Sequence, residues 1–389
     1  MELKTKYLKI CFFESAPPFG DRLGGIASYI LHRAHILSAN GFEVYWTDGL
    51  RVALFNINKK EWEIVKEFKT DKFYRIKKRY PHLSPGIKYL LNEIKIDIIE
   101  FLDSYGYDIS KLKGKCKVII QCHTSSPVRD FLNYLPLSFR ARLNAKRIKK
   151  NSLNADKILA CSFEIATLTS GFYKVHLDKF NIIHHAFDKE LFNASEIKNN
   201  TRENYFIAVA NVEYIKGIDL ILKAFIEYKN KGGKNQLFYI GPKDLFDVPA
   251  PMKERWIELG TNKLIEQIDS KYFKFIPYVS KKELLNLMSR ATATIILSRF
   301  EAFTMVVGEA ASVGCPIIVS NRLGWNNLIN RFDAGIMINP YNKDEVVNAM
   351  LKMEDNNISN IYSDNISKLF NYLCSDLLIK NTVDEYQFV

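Results

Sequence analysis

Two glutamates lie in the otherwise apolar segment SRFEAFTMVVGEAASVGCPIIVS, which covers residues 298–320. Glu301 opens an apolar run, and Glu309 interrupts it eight residues later. A carboxylate removed from water is costly unless a donor or a cation satisfies it. Neighbouring hydroxyl groups of a sugar can donate two hydrogen bonds to one carboxylate. Either glutamate alone also fits a capping or ion-paired residue, but the pair among small residues favours a polyhydroxylated ligand.

The same segment predicts a helix that begins near Thr304, so Glu301 lies in the loop before it. The first N–H groups of a helix have no partner within the helix and favour an anion. We therefore expect the N–H groups of Phe303, Thr304 and Met305 to face a ligand that Glu301 also contacts.

Two further side chains follow apolar runs that read as strands. His123 comes directly after CKVIIQC, where an imidazole can hydrogen-bond a hydroxyl or a phosphate or move a proton. Lys216 precedes Gly217 at the start of a predicted helix, where an ammonium group can neutralise the phosphoryl oxygen of a leaving group. A strand-end histidine and a solvated lysine are the alternative interpretations.

Gly24 and Gly25 come between the first predicted strand and its helix. Paired glycines there let the backbone approach a ligand, and the helix N-terminus favours a phosphate. The segment is neither GxGxxG nor a Walker A sequence, and a simple turn explains it equally well.

Strands and helices must alternate to position these residues. The first half contains the strand-like runs YLKICFF, FEVYWT, IDIIEF, CKVIIQCH, KILACS and FNIIHHAF, and the second half contains YFIAVA, QLFYIG, FKFIPYV, ATIILS and CPIIVS. This alternation predicts an α/β protein with two doubly wound, Rossmann-like domains built on parallel sheets. Open parallel sheets bind ligands at the carboxyl ends of their strands, where the candidate side chains occur.

A polar stretch near residues 187–204 predicts the linker between the domains. We expect a first domain at residues 1–190, a second domain at 191–365 and a C-terminal helix at 366–389 that packs toward the first domain. The Asn/Ser-rich run DNNISNIYSDNIS is interpreted as a surface loop.

The 389 residues are 47% hydrophobic and 25% charged, which is typical of a globular protein. Apolar runs fall short of the roughly 20 residues that span a bilayer. Six scattered cysteines without CxxC pairs predict reduced core residues of a cytoplasmic protein.

The net charge is +12, from 55 basic and 43 acidic residues, and one predicted helix concentrates it. The run SFRARLNAKRIKKN carries six cations: Arg140, Arg142, Lys146, Arg147, Lys149 and Lys150. A solvated face and a face that docks on an anionic membrane are both compatible with this pattern. Finger spacing and RNA-binding signatures are missing from the sequence, so we expect no nucleic-acid partner.

Together these segments resemble the retaining glycosyltransferases of family 4, which have the GT-B fold. Glu301 and Glu309 match the EX7E motif of that family, and LGGIASYILHRAHILSANGFEV resembles its opening Gly–Gly loop and helix. NVEYIKGIDLILKAF resembles its phosphate-binding lysine segment, and IIHHAFDKELF its interdomain strand. The matches run in order from about residue 10 to residue 340.

The resemblance implies a catalytic role for three of these residues. His123 would touch the transferred sugar or the leaving phosphate, Lys216 would stabilise the departing diphosphate, and Glu301 would bind hydroxyls of the donor sugar. Gly24 and Gly25 would approach the diphosphate from the first domain. The resemblance also makes residues 1–190 the acceptor-binding domain, with acceptor contacts in loops at residues 50–95 and 124–150, and residues 191–365 the donor-binding domain.

The remaining implied contacts are to the donor. The N–H groups of Phe303 and Thr304 would assist Glu301, Glu309 would hold the ribose, and the backbone near Tyr278 would read the nucleobase. Asn211 occupies the position where the family commonly has an arginine, five residues before the lysine. We expect Arg299 or another cation to substitute, or donor binding to be weaker.

The implied reaction moves a sugar from a UDP- or GDP-linked donor to a glycan or lipid-linked acceptor, with retention, in cell-surface polysaccharide or glycoconjugate synthesis. No metal or cofactor is expected, and the chain contains no DxD motif. The expected location is the cytoplasm, with the inner membrane face as a further candidate. Two alternatives remain: a GT-B nucleotide-sugar epimerase, and a non-enzymatic protein that binds an anionic polymer but leaves Glu301 and Glu309 unexplained.

Overall fold

The computed structural model of the protein describes residues 7–15, 17–20, 24–69, 82, 84–102, 108–192, 197, 201–242, 254 and 257–387. The chain forms two compact units. One contains Met1–Asp188 together with Cys374–Val389, and the other contains Lys189–Leu373.

The first unit is built on an eight-stranded sheet in the order β4-β3-β2-β1-β5-β6-β7-β8. Its strands are β1 (Lys9–Phe13), β2 (Glu43–Thr47), β3 (Arg51–Asn56), β4 (Glu61–Glu67), β5 (Ile98–Leu102), β6 (Lys117–Cys122), β7 (Lys157–Ala160) and β8 (Phe180–Ile182). Its first five helices are α1 (Gly25–Ala39), α2 (Pro85–Tyr89, continued by a π turn over Leu90–Ile94), α3 (Ser126–Leu132), α4 (Phe139–Asn154) and α5 (Phe163–Tyr173).

Strands β3 and β4 were not predicted. The sequence analysis placed loops in this part of the chain and predicted only parallel strands. Strand β3 runs antiparallel to both β2 and β4. Strand β4 has the sequence EWEIVKE and is mostly exposed, as an edge strand is, so it lacks the unbroken apolar run of a buried strand. The side chain of Asn56 accepts hydrogen bonds from the N–H groups of Asn58 and Lys59 and stabilises the connecting turn.

The second unit is built on a six-stranded sheet in the order β11-β10-β9-β12-β13-β14, with all neighbours parallel. Its strands are β9 (Tyr205–Val209), β10 (Gln236–Gly241), β11 (Phe273–Pro277), β12 (Ala293–Ile296), β13 (Ile317–Ser320) and β14 (Ile336–Ile338). Its helices are α6 (Ile218–Asn230), α7 (Thr261–Glu266), α8 (Lys281–Arg290), α9 (Met305–Ser312), α10 (Asn326–Phe332), α11 (Lys343–Met353) and α12 (Asn356–Leu373).

This unit confirms the predicted parallel, doubly wound arrangement. Its central strands β9, β12 and β13 are almost wholly buried, as strands covered by helices on both faces are. Helices α6 and α11 cover one face and contribute Leu222, Phe225, Val347 and Met350 to a continuous apolar core. Strand β14 was not predicted, because three residues are too few for a periodic signal.

Helix α12 shows that the predicted surface loop over DNNISNIYSDNIS is wrong. This run begins the 18-residue helix, which buries Ser359, Ile366, Leu369, Phe370 and Leu373 at helical spacing. Tertiary burial of this stripe outweighs the low helix propensity of the asparagines and serines. The expected boundary between residues 365 and 366 falls inside this helix, and the second unit extends to Leu373.

The last helix, α13 (Asp376–Gln387), belongs to the first unit. The ammonium group of Lys157 donates to the carbonyl oxygen of Glu385 at 2.8 Å, and the amide of Asn181 donates to its carboxylate at 3.1 Å. Tyr386 is fully buried and its hydroxyl donates to Glu100. Within the described part of the chain, no helix has the length and apolarity needed to cross a membrane.

Candidate active site

A short turn positions Lys216 beyond the end of β9. A 3₁₀ turn over Tyr214–Lys216 leads into α6 through Gly217, whose φ is +68°. A Cβ at this position would overlap the carbonyl oxygen of Leu297, which follows β12. Only glycine combines this backbone conformation with such a close approach, so Gly217 brings Lys216 against the end of β12.

Lys216 and Glu301 are in direct contact. The Nζ of Lys216 donates a hydrogen bond to Oε1 of Glu301, and the hydroxyl of Ser298 donates to the same oxygen at 3.3 Å. The two side chains are 25% and 15% exposed. The structure thus brings together two residues that were predicted to act together, 85 positions apart in the chain.

The loop before α9 is held by contacts with the segment after β13. The N–H group of Gly324 donates to the carbonyl oxygen of Glu301 at 2.8 Å. The ring of Phe303 stacks on Trp325 with centroids 3.8 Å apart, and the indole N–H of Trp325 donates to the carbonyl oxygen of Thr304 at 3.0 Å. Thr304 is the N-cap of α9, so the predicted start of this helix is confirmed.

Glu309 is buried in α9 and has a cationic partner as well. The ammonium group of Lys281, the first residue of α8, donates to its carboxylate and lies 5.1 Å from the ring centroid of Phe192. Glu301 and Glu309 thus each contact a lysine of the protein, whereas the sequence analysis assigned their partners to a ligand. The sequence carried a signal for Lys281, since a cation at a helix N-terminus opposes the helix dipole and favours a nearby anion.

Arg299 has a different role from the one expected. Its guanidinium group makes two hydrogen bonds of 2.8 Å to the carboxylate of Asp219 and one of 2.6 Å to the carbonyl oxygen of Tyr214. The Arg299 and Asp219 side chains are 8% and 1% exposed. Arg299 was expected to replace the missing arginine at the diphosphate. Its guanidinium is instead neutralised by Asp219 and stabilises the turn that carries Lys216.

Asn211 and Tyr278 meet at the same edge of the second sheet. Asn211 follows β9 and Tyr278 follows β11, and the phenol hydroxyl donates to the side-chain oxygen of Asn211. Burial, and then the nearby Glu213, raise the pKa of Tyr278. Both residues were predicted to contact the donor, and the structure brings them into contact.

The first unit carries the other predicted residues. Gly24 is the exposed N-cap of α1 and Gly25 is its first residue. His123 directly follows β6, as predicted, and its ring packs edge-on to Tyr29 at 4.9 Å. Burial, assisted by the charge of Arg33, lowers the pKa of His123 to about 4, so its imidazole is neutral near pH 7. It can exchange hydrogen bonds with a hydroxyl group but carries no charge for a phosphate.

The predicted basic helix is α4, which contains Arg140, although the side chain of Arg140 lies outside the described part of the chain. The side chains of Arg142, Lys146, Lys149 and Lys150 are exposed, and that of Arg147 is half-buried. Large apolar side chains on and beside this helix are also exposed: Phe139 at 78%, Tyr134 at 69% and Phe131 at 54%.

Comparison with known proteins identifies the family. The family described as "Glycosyltransferase Family 4" matches residues 23–191, and the family described as "Glycosyl transferases group 1" matches residues 190–368. The two matches follow one another and correspond closely to the two units of the fold.

Curated relatives are similar over shorter segments. A probable sucrose-phosphate synthase 4 of Oryza sativa subsp. japonica is 25% identical over 160 residues, 40% of this chain and 15% of that protein. The UDP-Gal:alpha-D-GlcNAc-diphosphoundecaprenol alpha-1,3-galactosyltransferase of Escherichia coli is 33% identical over 86 residues, 22% of each protein. The chain therefore spans less than a quarter of the length of either relative.

Solved structures match the whole fold. The sucrose-phosphate synthase of Thermosynechococcus elongatus has a TM-score of 0.73 at 16% identity, covering 98% of both chains. The UDP-forming α,α-trehalose-phosphate synthase of Burkholderia vietnamiensis has a TM-score of 0.71 at 11% identity, covering 99% of this chain and 100% of that one. The chain therefore belongs to the family 4 glycosyltransferases and has the GT-B fold.

Proposed function

We propose that this chain is a retaining glycosyltransferase that transfers a sugar from a nucleotide-diphosphate donor to a glycan or lipid-linked acceptor. The observation that carries the proposal is the contact between Lys216 and Glu301 ahead of the N-terminus of α9. A cation and a carboxylate ahead of a helix N-terminus that has no side-chain cap together match a ligand that has both a diphosphate and sugar hydroxyls.

The pair is arranged for exchange of partners. In the free protein Lys216 and Glu301 satisfy each other, which avoids the cost of an unpaired, partly buried charge. A bound donor would replace both partners, because its diphosphate pairs with Lys216 and its sugar hydroxyls donate to Glu301. Each side chain then remains satisfied, so breaking the internal pair does not leave a charge unpaired.

This arrangement suits a reaction limited by departure of the leaving group. Transfer with retention can proceed by attack on the face from which the diphosphate leaves, through an oxocarbenium-like transition state. Stabilising the negative charge that grows on the leaving diphosphate then matters more than a strong base. Lys216 and the N–H groups at the start of α9 supply this stabilisation. Glu301 acts as a ligand for hydroxyl groups, unlike the nucleophilic carboxylate of a retaining hydrolase.

Glu309 and the pair of Asn211 and Tyr278 would bind the nucleotide. Glu309 would exchange its contact with Lys281 for the two ribose hydroxyls, by the same logic as Glu301. Asn211 and Tyr278 offer polar groups at the carboxyl edge of β9 and β11, where parallel sheets bind nucleotides.

The acceptor side of the proposal uses the exposed surface around α4. Exposed aromatic side chains beside several cations are typical of a protein face that docks on an anionic membrane. The Escherichia coli relative is named for an acceptor linked to diphosphoundecaprenol. We therefore propose a lipid-linked acceptor at the inner membrane face and a role in the synthesis of cell-surface glycans.

The function is tested by a thermal-shift screen of UDP- and GDP-sugars, followed by assays with synthetic acceptors and NMR of the product. We expect one donor to raise the melting temperature, and its α-linked sugar to appear α-linked on the acceptor. A β-linked product would contradict retention. Conversion of the donor to its epimer without acceptor would support the epimerase alternative instead.

Membrane docking is tested by sedimentation with vesicles of phosphatidylglycerol and phosphatidylcholine. We expect binding to rise with the anionic lipid fraction and to fall at least about tenfold in a Lys146→Glu/Lys149→Glu variant, since each cation near the surface contributes about 1 kcal/mol. The control is Lys111→Glu/Lys113→Glu, an equal charge change at exposed lysines of the same unit. Equal losses in both variants would contradict a specific docking face.

A further inference from the structure

The contact between Lys281 and Glu309 joins two side chains that differ in their access to water. The ammonium group of Lys281 donates a hydrogen bond to Oε1 of Glu309. The Glu309 side chain is 11% exposed, whereas that of Lys281 is 38% exposed. The carboxylate therefore needs a partner at all times, because a buried charge without one is costly. The ammonium group can leave the pair and be hydrated instead.

Lys281 reaches Glu309 from the first position of helix α8. Ser280 is the N-cap of this helix, and its hydroxyl accepts a hydrogen bond from the N–H group of Glu283 at 3.3 Å. A cation at a helix N-terminus is unfavourable, because it meets the positive end of the helix dipole. The needs of its own helix thus do not explain the position of Lys281, and the contact with Glu309 offsets the cost.

An aromatic ring offers the ammonium group of Lys281 a second partner. Its Nζ lies 5.1 Å from the ring centroid of Phe192, which is buried in the 3₁₀ turn over Lys189–Phe192. The attraction between a cation and the face of a ring is weak at a partly exposed site. Lys281 therefore has both water and this ring as partners once its hydrogen bond to Glu309 is exchanged.

The ammonium group and a ribose offer Glu309 the same kind of partner. A carboxylate accepts hydrogen bonds, and both the N–H of an ammonium group and the O–H of a sugar donate them. The ammonium group of Lys281 contacts Oε1, one of the two carboxylate oxygens that the neighbouring hydroxyls of a ribose would share. Lys281 and a ribose would thus compete for one acceptor.

We propose that Lys281 is an internal substitute for the ribose hydroxyls that weakens the hold of the donor site on a nucleotide, a role that rests on the function proposed above, in which Glu309 binds the ribose. In the free protein Lys281 satisfies Glu309. When a nucleotide binds, its 2′- and 3′-hydroxyls displace the ammonium group, which turns to water. Breaking the pair offsets part of the free energy of binding, so the nucleoside diphosphate product leaves more readily.

Two other roles of Lys281 predict different results. A lysine that stays in contact with the nucleotide, for example at a phosphate, would strengthen binding directly, and its loss would weaken binding. A purely structural ion pair would contribute to the stability of the protein without changing its affinity for a nucleotide. Only an internal substitute for the ribose predicts that loss of the lysine lowers stability and tightens binding.

The experiment measures the Kd of the full-length protein for UDP and for GDP by calorimetry. We expect Lys281→Met to bind the preferred nucleotide about three- to tenfold more tightly, because a competing, partly exposed charged hydrogen bond is lost, and to melt at a lower temperature when free. Lys281→Arg should bind it less tightly, because a guanidinium group can hold a carboxylate with two N–H donors. Lys282→Met, at the adjacent exposed lysine, is the matched control and should keep the normal Kd and melting temperature.

The 2′,3′-dideoxy form of the same nucleotide tests whether the gain in affinity comes from the ribose. It lacks the hydroxyls that displace Lys281, so Lys281→Met should not change its Kd. Equal gains for both forms, or weaker binding of the ribonucleotide by Lys281→Met, would overturn the proposal. If the unsubstituted protein binds a nucleoside diphosphate and Lys281→Met leaves that Kd unchanged, this proposal alone fails. If the unsubstituted protein binds neither UDP nor GDP, the proposed function fails with it.

Discussion

At the scale of single residues, the site is organised by two pairs of opposite charge. Glu301 contacts Lys216 and Glu309 contacts Lys281, and each pair is partly shielded from water. Such pairs orient the carboxylates and satisfy their charge while no ligand is bound. Under the proposed function, a ligand that offers an anion and neighbouring hydroxyl groups takes over both halves of the first pair and the carboxylate of the second.

Replacing Lys216 tests the role of the leaving-group cation. We expect Lys216→Ala to lower kcat by at least about a hundredfold, because removal of one electrostatic stabiliser of a transition state has costs of this size. Initial rates at saturating donor measure the effect. Lys231→Ala, at an exposed lysine of the same unit, should retain the normal rate. A kcat for Lys216→Ala within a few-fold of normal would contradict the assignment.

Replacing Glu309 tests ribose recognition. We expect Glu309→Ala to lower turnover by at least about a hundredfold and to weaken binding of the nucleoside diphosphate, since two charge-assisted hydrogen bonds are lost. Calorimetry with the 2′-deoxynucleotide provides the control, because a ligand without that hydroxyl should lose less affinity on the same substitution. Equal losses for both nucleotides would argue against a contact with the 2′-hydroxyl.

At the scale of structural elements, the turn between β9 and α6 is braced from β12. Gly217 permits the close approach, and Arg299 joins the carbonyl oxygen of Tyr214 to the carboxylate of Asp219 in the first turn of α6. The guanidinium also lies 3.8 Å from the ring centroid of Tyr214. Arg299 is thus a positioning residue that acts through the Lys216 turn.

Substitution of Arg299 by lysine keeps the positive charge but removes the planar guanidinium group with its several N–H donors. We expect Arg299→Lys to lower kcat between about tenfold and a hundredfold, because a lysine cannot hold both Asp219 and Tyr214, and small displacements at a site have costs of this order. A double-mutant cycle with Lys216→Ala measures whether the two losses in kcat are coupled, which a purely structural role of Arg299 would not produce. Losses that simply add would show that Arg299 does not act through Lys216.

At the scale of the whole molecule, the C-terminal helix α13 belongs to the first unit, although it follows the second unit in the sequence. Its Tyr386 donates to Glu100 in the centre of the first sheet, where Tyr29 also donates and Arg33 supplies a cation. Burial raises the pKa of Glu100, whereas Arg33 and the two hydroxyls oppose that rise. The first unit therefore depends on the last residues of the chain for a partner of a fully buried carboxylate.

Removing the hydroxyl of Tyr386 tests this dependence. We expect Tyr386→Phe to lower the free energy of unfolding by about 1–3 kcal/mol, because a buried acceptor loses a donor while the packing is retained. Urea unfolding followed by circular dichroism measures the change. Tyr341→Phe, at an exposed tyrosine, should stay within about 0.5 kcal/mol of the unsubstituted protein. Equal stability of the two variants would mean that Tyr386 contributes through packing alone.

The amino-acid sequence by itself indicated the alternation of buried parallel strands with helices and the positions of several candidate residues next to the ends of these elements. The start of α9 at Thr304, the placement of His123 directly after β6 and that of Lys216 just before α6 were readable because they depend on neighbouring residues. Local periodicity, helix caps and glycine turns act over a few residues, so they are visible in one sequence.

Only the tertiary structure decided which side chains contact each other. Lys216 pairs with Glu301 across 85 residues, and Tyr278 contacts Asn211 across 67 residues. The asparagine-rich helix α12 is stabilised by tertiary burial of its apolar stripe, against its local sequence pattern. Pairing of buried charges depends on distance and desolvation in the folded chain, and neither quantity can be read from residue types and spacing.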